Sequence, residues 1–466
     1  MLRTVLLWCL SAAASLGQTL PVTDPAPFVR VRSVSLHGNH RTRDAIILRE
    51  MSVRAGDTLR RNELQEKLNW DRRRIANTNL FITVDLVTKE VDSLSIDLEV
   101  HLKERWYLFA VPTFYLADRN FNEWWYERNR DLRRTIYGIR VRYKNVTGRA
   151  DRLAATFETG FVNRADLSYA LPYVDRNQKT GLGFGFSYLT NKEIAYRSAF
   201  DKLLFLKDEN LLRERFQTNV VLTRRNQFFA FHQLELRYAR MWVADTIARL
   251  NPDYLLDART RQRYLQLGYT YTFDRRDDVA YPLRGHFLTL TANQYGLLPT
   301  DDVRLTELLV NYNRYWPLTG KFYLNAMTGA KLSWPDRQPY TLFRGLGYQQ
   351  NFVRGYDLYV IDGERYFLTK NTLRYQLLNV RKQFKWIPVR QFSTVPLALY
   401  LDLFADAGYV HSGMAAQYES RLANTWLFGT GLGLDVVTFY NTVLRFTYAI
   451  NRQGQTGFFF NYVYDL

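Results

Sequence analysis

Residues 265–274 read LQLGYTYTFD and residues 399–408 read LYLDLFADAG. In the first stretch Leu265, Leu267, Tyr269, Tyr271 and Phe273 alternate with Gln266, Gly268, Thr270, Thr272 and Asp274. In the second, Leu399, Leu401, Leu403, Ala405 and Ala407 alternate with Tyr400, Asp402, Phe404, Asp406 and Gly408. Successive strand side chains point to opposite faces, so each stretch has one apolar wall and one polar or small wall. Sixteen strand-like segments follow residue 105, from 106–115 through 321–333, 368–379 and 395–410 to 456–466. Trp124, Trp125, Trp242, Trp316, Trp334 and Trp386 fall near segment ends, where interfacial girdles place aromatics. Strands this long and numerous suit a membrane barrel better than a soluble sandwich. The sequence predicts an all-β transmembrane barrel of 16 antiparallel strands over residues 105–466.

Composition agrees. The chain has 466 residues, 47% of them hydrophobic, and a formal net charge of +18. The basic residues are spread along alternating strands rather than gathered in a patch, which argues against nucleic acid. A wet lumen and loops accommodate such charge away from lipid. Residues 1–17 read as a secretory signal, with Arg3, an apolar run from Val5 to Leu10 and small residues before Gln18. Cys9, the single cysteine, lies inside that run, so the exported chain would hold no disulfide or thiolate metal site. No later stretch reaches 18 uninterrupted apolar residues. An exported membrane protein without such a helix must be a barrel.

Residues 18–27 form a linker, and 28–104 read as a small α+β domain in the order strand, helix, helix, strand, strand. Val29 to Leu36 alternates, Thr42 stands as a cap for the next helix, and Leu64, Leu68 and Ile75 recur at helical spacing. Ile82 to Thr88 and Leu94 to Val100 read as strands. His37 and His40 have no third ligand nearby and read as a solvated turn, not a metal site.

Residues 341–380 separate the eleventh and twelfth segments and are too long for a hairpin turn. At their centre stand Val353, Arg354, Gly355 and Tyr356. A guanidinium there needs an acidic partner, and the alternation turns Phe404, Asp406 and Gly408 inward on the thirteenth segment.

These residues carry a resemblance. Gly38-Asn39, Thr42, Asn79-Leu80-Phe81 and Glu104 resemble the pattern of a POTRA (polypeptide-transport-associated) domain. With the Val353–Tyr356 tetrad, the whole chain resembles the POTRA-plus-barrel superfamily of outer-membrane insertases and translocases, the BamA/TamA family. Asp274-Arg275-Arg276-Asp277 with Pro282-Leu283-Arg284-Gly285 matches one of its turns. Asn145-Val146-Thr147-Gly148 with Leu171-Pro172-Tyr173 matches its early-barrel turns. The resemblance implies that the loop folds back into the lumen and that Arg354 meets Asp406. The family's twelfth strand often adds a second acid, but Arg374 occupies that place here. The last strand sets Phe458, Phe460, Tyr462 and Tyr464 on one face and ends in Leu466 rather than the usual aromatic.

What the resemblance implies is insertion or translocation of polypeptides without nucleotide or cofactor. The barrel is then expected in the bacterial outer membrane and the small domain in the periplasm. The expected partners are unfolded outer-membrane or secreted polypeptides, outer-membrane lipid and accessory lipoproteins, with no nucleic acid. A seam between the first strand (Trp106 to Tyr115) and the last would expose pairing edges. Gly454 and Gly457 either loosen that seam or form the final loop. The alternative is a dedicated two-partner-type translocator of one secreted or surface client class. Such proteins usually carry two POTRA domains and a plug helix, and neither is evident. No G-x-S-x-G, triad, Walker or EF-hand pattern points to an enzyme. Ser198 to Arg215, unusually apolar, is expected to extend a strand beyond the membrane, with a short lid or partner contact as the other reading.

Overall fold

A computed structural model describes residues 27–118, 123–383, 394–438 and 442–463. The expected signal segment 1–17, the expected linker up to residue 26, Trp386, Tyr464 and Leu466 lie outside these. The N-terminal domain runs β1 (Phe28–His37), α1 (Asp44–Glu50), β2 (Thr58–Arg60), α2 (Arg61–Asn77), β3 (Phe81–Asp92) and β4 (Ser95–Glu104). Its sheet has the order β2-β1-β4-β3, with β1 and β4 parallel. Parallel neighbours need a crossover, which α1, β2 and α2 supply. The three-residue β2 adds to the expected element order, being too short to show a period in sequence. Val29, Val31, Ile96, Leu98 and Val100 of the strands meet Ile46, Ile47, Leu68 and Ile75 of the helices in one buried core. Buried Asp71 accepts hydrogen bonds from the amides of Ser52 (2.9 Å) and Val53 (3.0 Å), tying α2 to the end of α1.

Thr42 does not cap α1. Its hydroxyl donates instead to the Glu104 carboxylate (2.6 Å) and accepts from Asn145 Nδ2 (2.9 Å). A charged acceptor outcompetes the helix end. Thr42 and Glu104 of the domain and Asn145 of the first barrel turn thus form one knot. Gly148 completes it: its amide-side backbone packs so closely that a Cβ would stand 2.5 Å from the Arg41 carbonyl.

The barrel begins with β5 (Leu108–Leu116), β6 (Thr135–Lys144), β7 (Arg152–Gly160), β8 (Val162–Leu171) and β9 (Thr180–Asn191). A hairpin of β10 (Glu193–Ala199) and β11 (Lys202–Lys207) interrupts it. It resumes with β12 (Arg213–Gln227), β13 (Ala230–Val243), β14 (Arg261–Asp274), β15 (Gly285–Tyr295), β16 (Leu305–Pro317) and β17 (Phe322–Trp334). It closes with β18 (Arg365–Gln383), β19 (Thr394–His411), β20 (Trp426–Thr438), β21 (Thr442–Asn451) and β22 (Thr456–Val463). From β5 to β22, all strands except β10 and β11 join one 16-stranded antiparallel sheet in chain order. The sixteen expected segments reappear with ends shifted by a few residues. Outward Leu267, Tyr269, Leu401 and Leu403 are exposed, while Gln266, Asp402, Phe404 and Asp406 are buried inside. Trp316 and Trp334 lie exposed near strand ends, but Trp124 is buried, donating to the Asp131 carbonyl (3.0 Å).

The N-terminal domain packs against the periplasmic turns. Glu50 accepts from Arg225 (2.6 Å), Arg74 stacks on Phe228 (3.7 Å) and Trp70 meets Phe229 (6.0 Å). At the other end the loops build a cap. Ile194, Leu212, Tyr254, Leu255, Tyr340, Phe343 and Tyr418 form its core. Ser198 to Arg215 therefore does not simply extend a strand. Most of it belongs to the β10–β11 hairpin and its return, where Leu206 and Leu212 pack into this core while Leu204 and Leu211 stay exposed. The hairpin tip is latched: Asp201 accepts from the amides of Arg421 (2.9 Å) and Leu422 (3.2 Å).

Candidate functional site

The connection from β17 to β18 turns back into the barrel, where Leu346, Val353, Tyr356 and Ile361 share a buried core with Leu368, Val410 and Leu427. Gly355 takes φ +94°, a conformation L side chains rarely adopt, and this tight bend aims Arg354 at the wall. Arg354 Nε lies 2.7 Å from Asp406 Oδ2 and Nη2 lies 2.6 Å from Oδ1. The Arg354 amide adds a third bond to Asp406 (3.2 Å), and Nη2 also donates to Thr372 Oγ1 (3.0 Å). The guanidinium lies over the Phe404 ring at 3.8 Å. Both charges are shielded, since the Asp406 side chain is fully buried and that of Arg354 is 12% exposed.

Each residue of the inner-wall pattern has a separate physical task. Phe404 offers a face to the cation, Asp406 neutralises it, and Gly408 leaves room. A Cβ at Gly408 would stand 2.6 Å from a Val353 methyl. Tyr356, also buried, donates its hydroxyl to Gln453 (2.7 Å), and the Gly355 carbonyl accepts from Asn451 Nδ2 (3.0 Å). The tetrad is therefore held by β19 on one side and by the β21–β22 turn on the other.

Arg374 takes no part in the contacts of Arg354. It lies 3.5 Å from Asp402 and stacks at 4.5 Å on Tyr281, which rises from the β14–β15 turn. Tyr281 donates to Asp435 (2.9 Å), and Asp435 also accepts from Arg445 Nε (2.8 Å). The lumen is thus braced at two levels, by a loop from the extracellular side and by a turn from the periplasmic side. A cavity of about 390 Å³ lies between them, lined among others by Arg354, Lys370, Arg374 and Arg445.

Several contributing residues carry no motif of their own in sequence. A Cβ at Gly429 would stand 1.8 Å from the Arg354 carbonyl, and one at Gly431 would stand 2.8 Å from the Phe404 ring. Their signal is the run of Gly429, Gly431 and Gly433 on the inner face of β20, beside the acid-bearing strand. Thr372 and Tyr281 look unremarkable in sequence because their partners are remote.

At the ends of the sheet, Phe458 and Phe460 point outward and are exposed, while Phe459 is buried inward. The backbone of Tyr462 pairs with Leu444. Gly454, at φ +77°, makes the turn before β22, and Gly457 lies within the strand opposite Ala449. An apolar cavity beside β22 is lined by Trp125 and Tyr126 of the β5–β6 connection, by Leu358 and Tyr359 of the inward loop and by residues 455–460. No ladder joins β5 to β22 among the described residues. Nor do the described residues gather three metal-ligating side chains.

The comparisons bear on this architecture. The Omp85 superfamily domain matches residues 145–462, and POTRA, described as a surface antigen variable number repeat, matches residues 29–105. A 76-residue stretch is 34% identical to the outer membrane protein assembly factor BamA of Neorickettsia risticii (strain Illinois), covering 16% of this chain and 10% of that protein. The crystal structure of BamA from Haemophilus ducreyi lacking POTRA domains 1–3 superposes with TM-score 0.53 at 17% identity, over 93% of this chain and 84% of that one. CdiB from Escherichia coli gives TM-score 0.54 at 12% identity, over 93% and 76%. These structural likenesses concern the fold. The chain belongs to the Omp85 superfamily, as an outer-membrane β-barrel with a periplasmic POTRA domain.

Proposed function

We propose that this protein inserts polypeptides into the outer membrane through the seam between β5 and β22, without nucleotide. The carrying observation is that β5 and β22 stand at the two ends of the sixteen-stranded order and share no ladder among the described residues. Unpaired strand edges are templates for an incoming strand. Pro112, midway along β5 opposite Ile139, supports the reading, because proline lacks an N–H and is confined to edges and bulges. The extracellular cap and the braced loop obstruct a straight path through the lumen, which favours sideways release.

The POTRA sheet would receive clients in extended form along β3, its long outer edge. The alternative, a dedicated translocator of one secreted or surface client class, requires the Arg354 loop to leave the lumen. Quantitative proteomics of outer-membrane and secreted fractions during depletion separates the two. Loss of many unrelated barrels supports insertion. Loss of one client class with barrels intact overturns it in favour of translocation.

A further inference from the structure

The outward face of the barrel carries arginines that form no ion pair among the described residues. Outward positions of β13 run Leu234, Leu236, Tyr238, Arg240 and Trp242, and those of β14 run Arg261, Arg263, Leu265, Leu267 and Tyr269. The register sets Leu236 against Leu267, Arg240 against Arg263, and Trp242 against Arg261. Leu234, Leu236, Leu267 and Tyr269 are exposed, which identifies this side as the lipid face. The POTRA domain touches Phe229, at the opposite end of the same strands, so the arginines lie at the extracellular end. From Leu265 to Phe273 the apolar stripe rises roughly 20 Å after barrel tilt, close to the height of an outer-membrane apolar band. The arginines begin where that band ends.

Two guanidinium groups directly opposite on a ladder repel one another. Nearby acids do not relieve them. Glu214 on β12 faces the Tyr188 hydroxyl, and Asp302 accepts from the Arg263 amide (2.8 Å) and from Arg259 (3.2 Å). Among the described residues, the guanidinium groups of Arg240, Arg261 and Arg263 form no ion pair. All three residues are exposed.

We propose that Arg240, Arg261 and Arg263 bind the phosphate of an outer-leaflet glycolipid. A guanidinium fork matches phosphate oxygens, and an anion between Arg240 and Arg263 removes their repulsion. Trp242 sits at the interfacial level, and Leu234, Leu236, Leu265 and Leu267 lie below for acyl chains. Free phosphate would use the fork but not the leucine surface, so the ligand is the lipid.

The full-length barrel in detergent micelles would be titrated with diphosphoryl lipid A, dephosphorylated lipid A and inorganic phosphate. Wild type is expected to prefer the phosphorylated lipid by about tenfold, the scale of one charge-assisted contact. Arg240→Gln/Arg263→Gln should lose that preference, while Arg240→Lys/Arg263→Lys should keep part of it. Heat-modifiable gel migration checks folding. If the double glutamine variant does not fold, Arg261→Gln alone must weaken the preference. Equal binding of both lipids, or an unchanged preference in the glutamine variants, overturns the site. Displacement of the lipid by millimolar phosphate overturns the lipid as its ligand.

Discussion

Arg354 and Asp406 meet through two parallel hydrogen bonds of 2.7 and 2.6 Å, with Phe404 lying beneath the cation. Removing either partner leaves a charge buried without compensation, at a cost of about 3–5 kcal/mol. Arg354→Ala and Asp406→Ala should both lower the temperature at which the purified barrel unfolds. Arg354→Lys should recover little, because an ammonium lacks the fork and the planar stack. Thermal unfolding followed by gel shift checks this, and a lysine variant as stable as wild type would contradict it.

The glycines around the tetrad should matter by closeness, not by their number. Gly429→Ala puts a methyl into the Arg354 carbonyl and must push the loop off the wall. Gly183→Ala, whose Cβ would find its nearest atom at 3.5 Å, serves as the tolerated control. Limited trypsin digestion of the folded barrel should cut after Arg354 in the first variant and spare it in the second.

Docking of the POTRA domain should depend on pH through Glu50. Burial raises its carboxyl, but hydrogen bonding and charge from Arg225 outweigh this and hold it below the usual carboxylate range. A depressed acid stabilises the docked form above its undocked pKa, and that contribution is lost as pH falls through the depressed value. The protection of α1 amides, corrected for the intrinsic pH dependence of exchange, should therefore fall on acidification. Glu50→Gln should abolish that acid-dependent part, and an unchanged profile would assign it elsewhere.

The extracellular hairpin should be held by Asp201. Its carboxylate accepts two backbone amides, so Asp201→Ala strands Arg421 and Leu422 donors and costs about 1–3 kcal/mol locally. Protease added to whole cells should then cut between β10 and β11 faster than in wild type. Equal rates would mean that the apolar cap core alone holds the hairpin.

Much of this organisation is legible in sequence because a strand with one lipid face cannot hide its period. Leu265 to Asp274 and Leu399 to Gly408 show the alternation without interruption, and that alternation turns Asp406 inward. Residues near the cap follow another logic. Leu203, Leu204 and Leu206 look like a strand extension because apolar content does not say whether lipid or other loops will cover it. Thr42 looks like a helix cap because its acceptor Glu104 lies 62 residues away. Arg374 stands where a second acid was expected, and its companions Tyr281 and Asp402 come from a distant turn and a neighbouring strand. Local pattern reveals strands and facing; partners brought together across the sheet and its loops require the fold.

The seam is the central claim, and a covalent lock tests it most directly. Cys9 is the single native cysteine and lies in the expected signal segment, so engineered pairs between β5 and β22 have little native background. The barrel would be reconstituted in liposomes with an unfolded outer-membrane protein, and client insertion measured by protease protection under oxidising and reducing conditions. The account predicts that insertion stops when the seam is locked and returns on reduction, while a single-cysteine control is unaffected. Full insertion through a locked seam would contradict it.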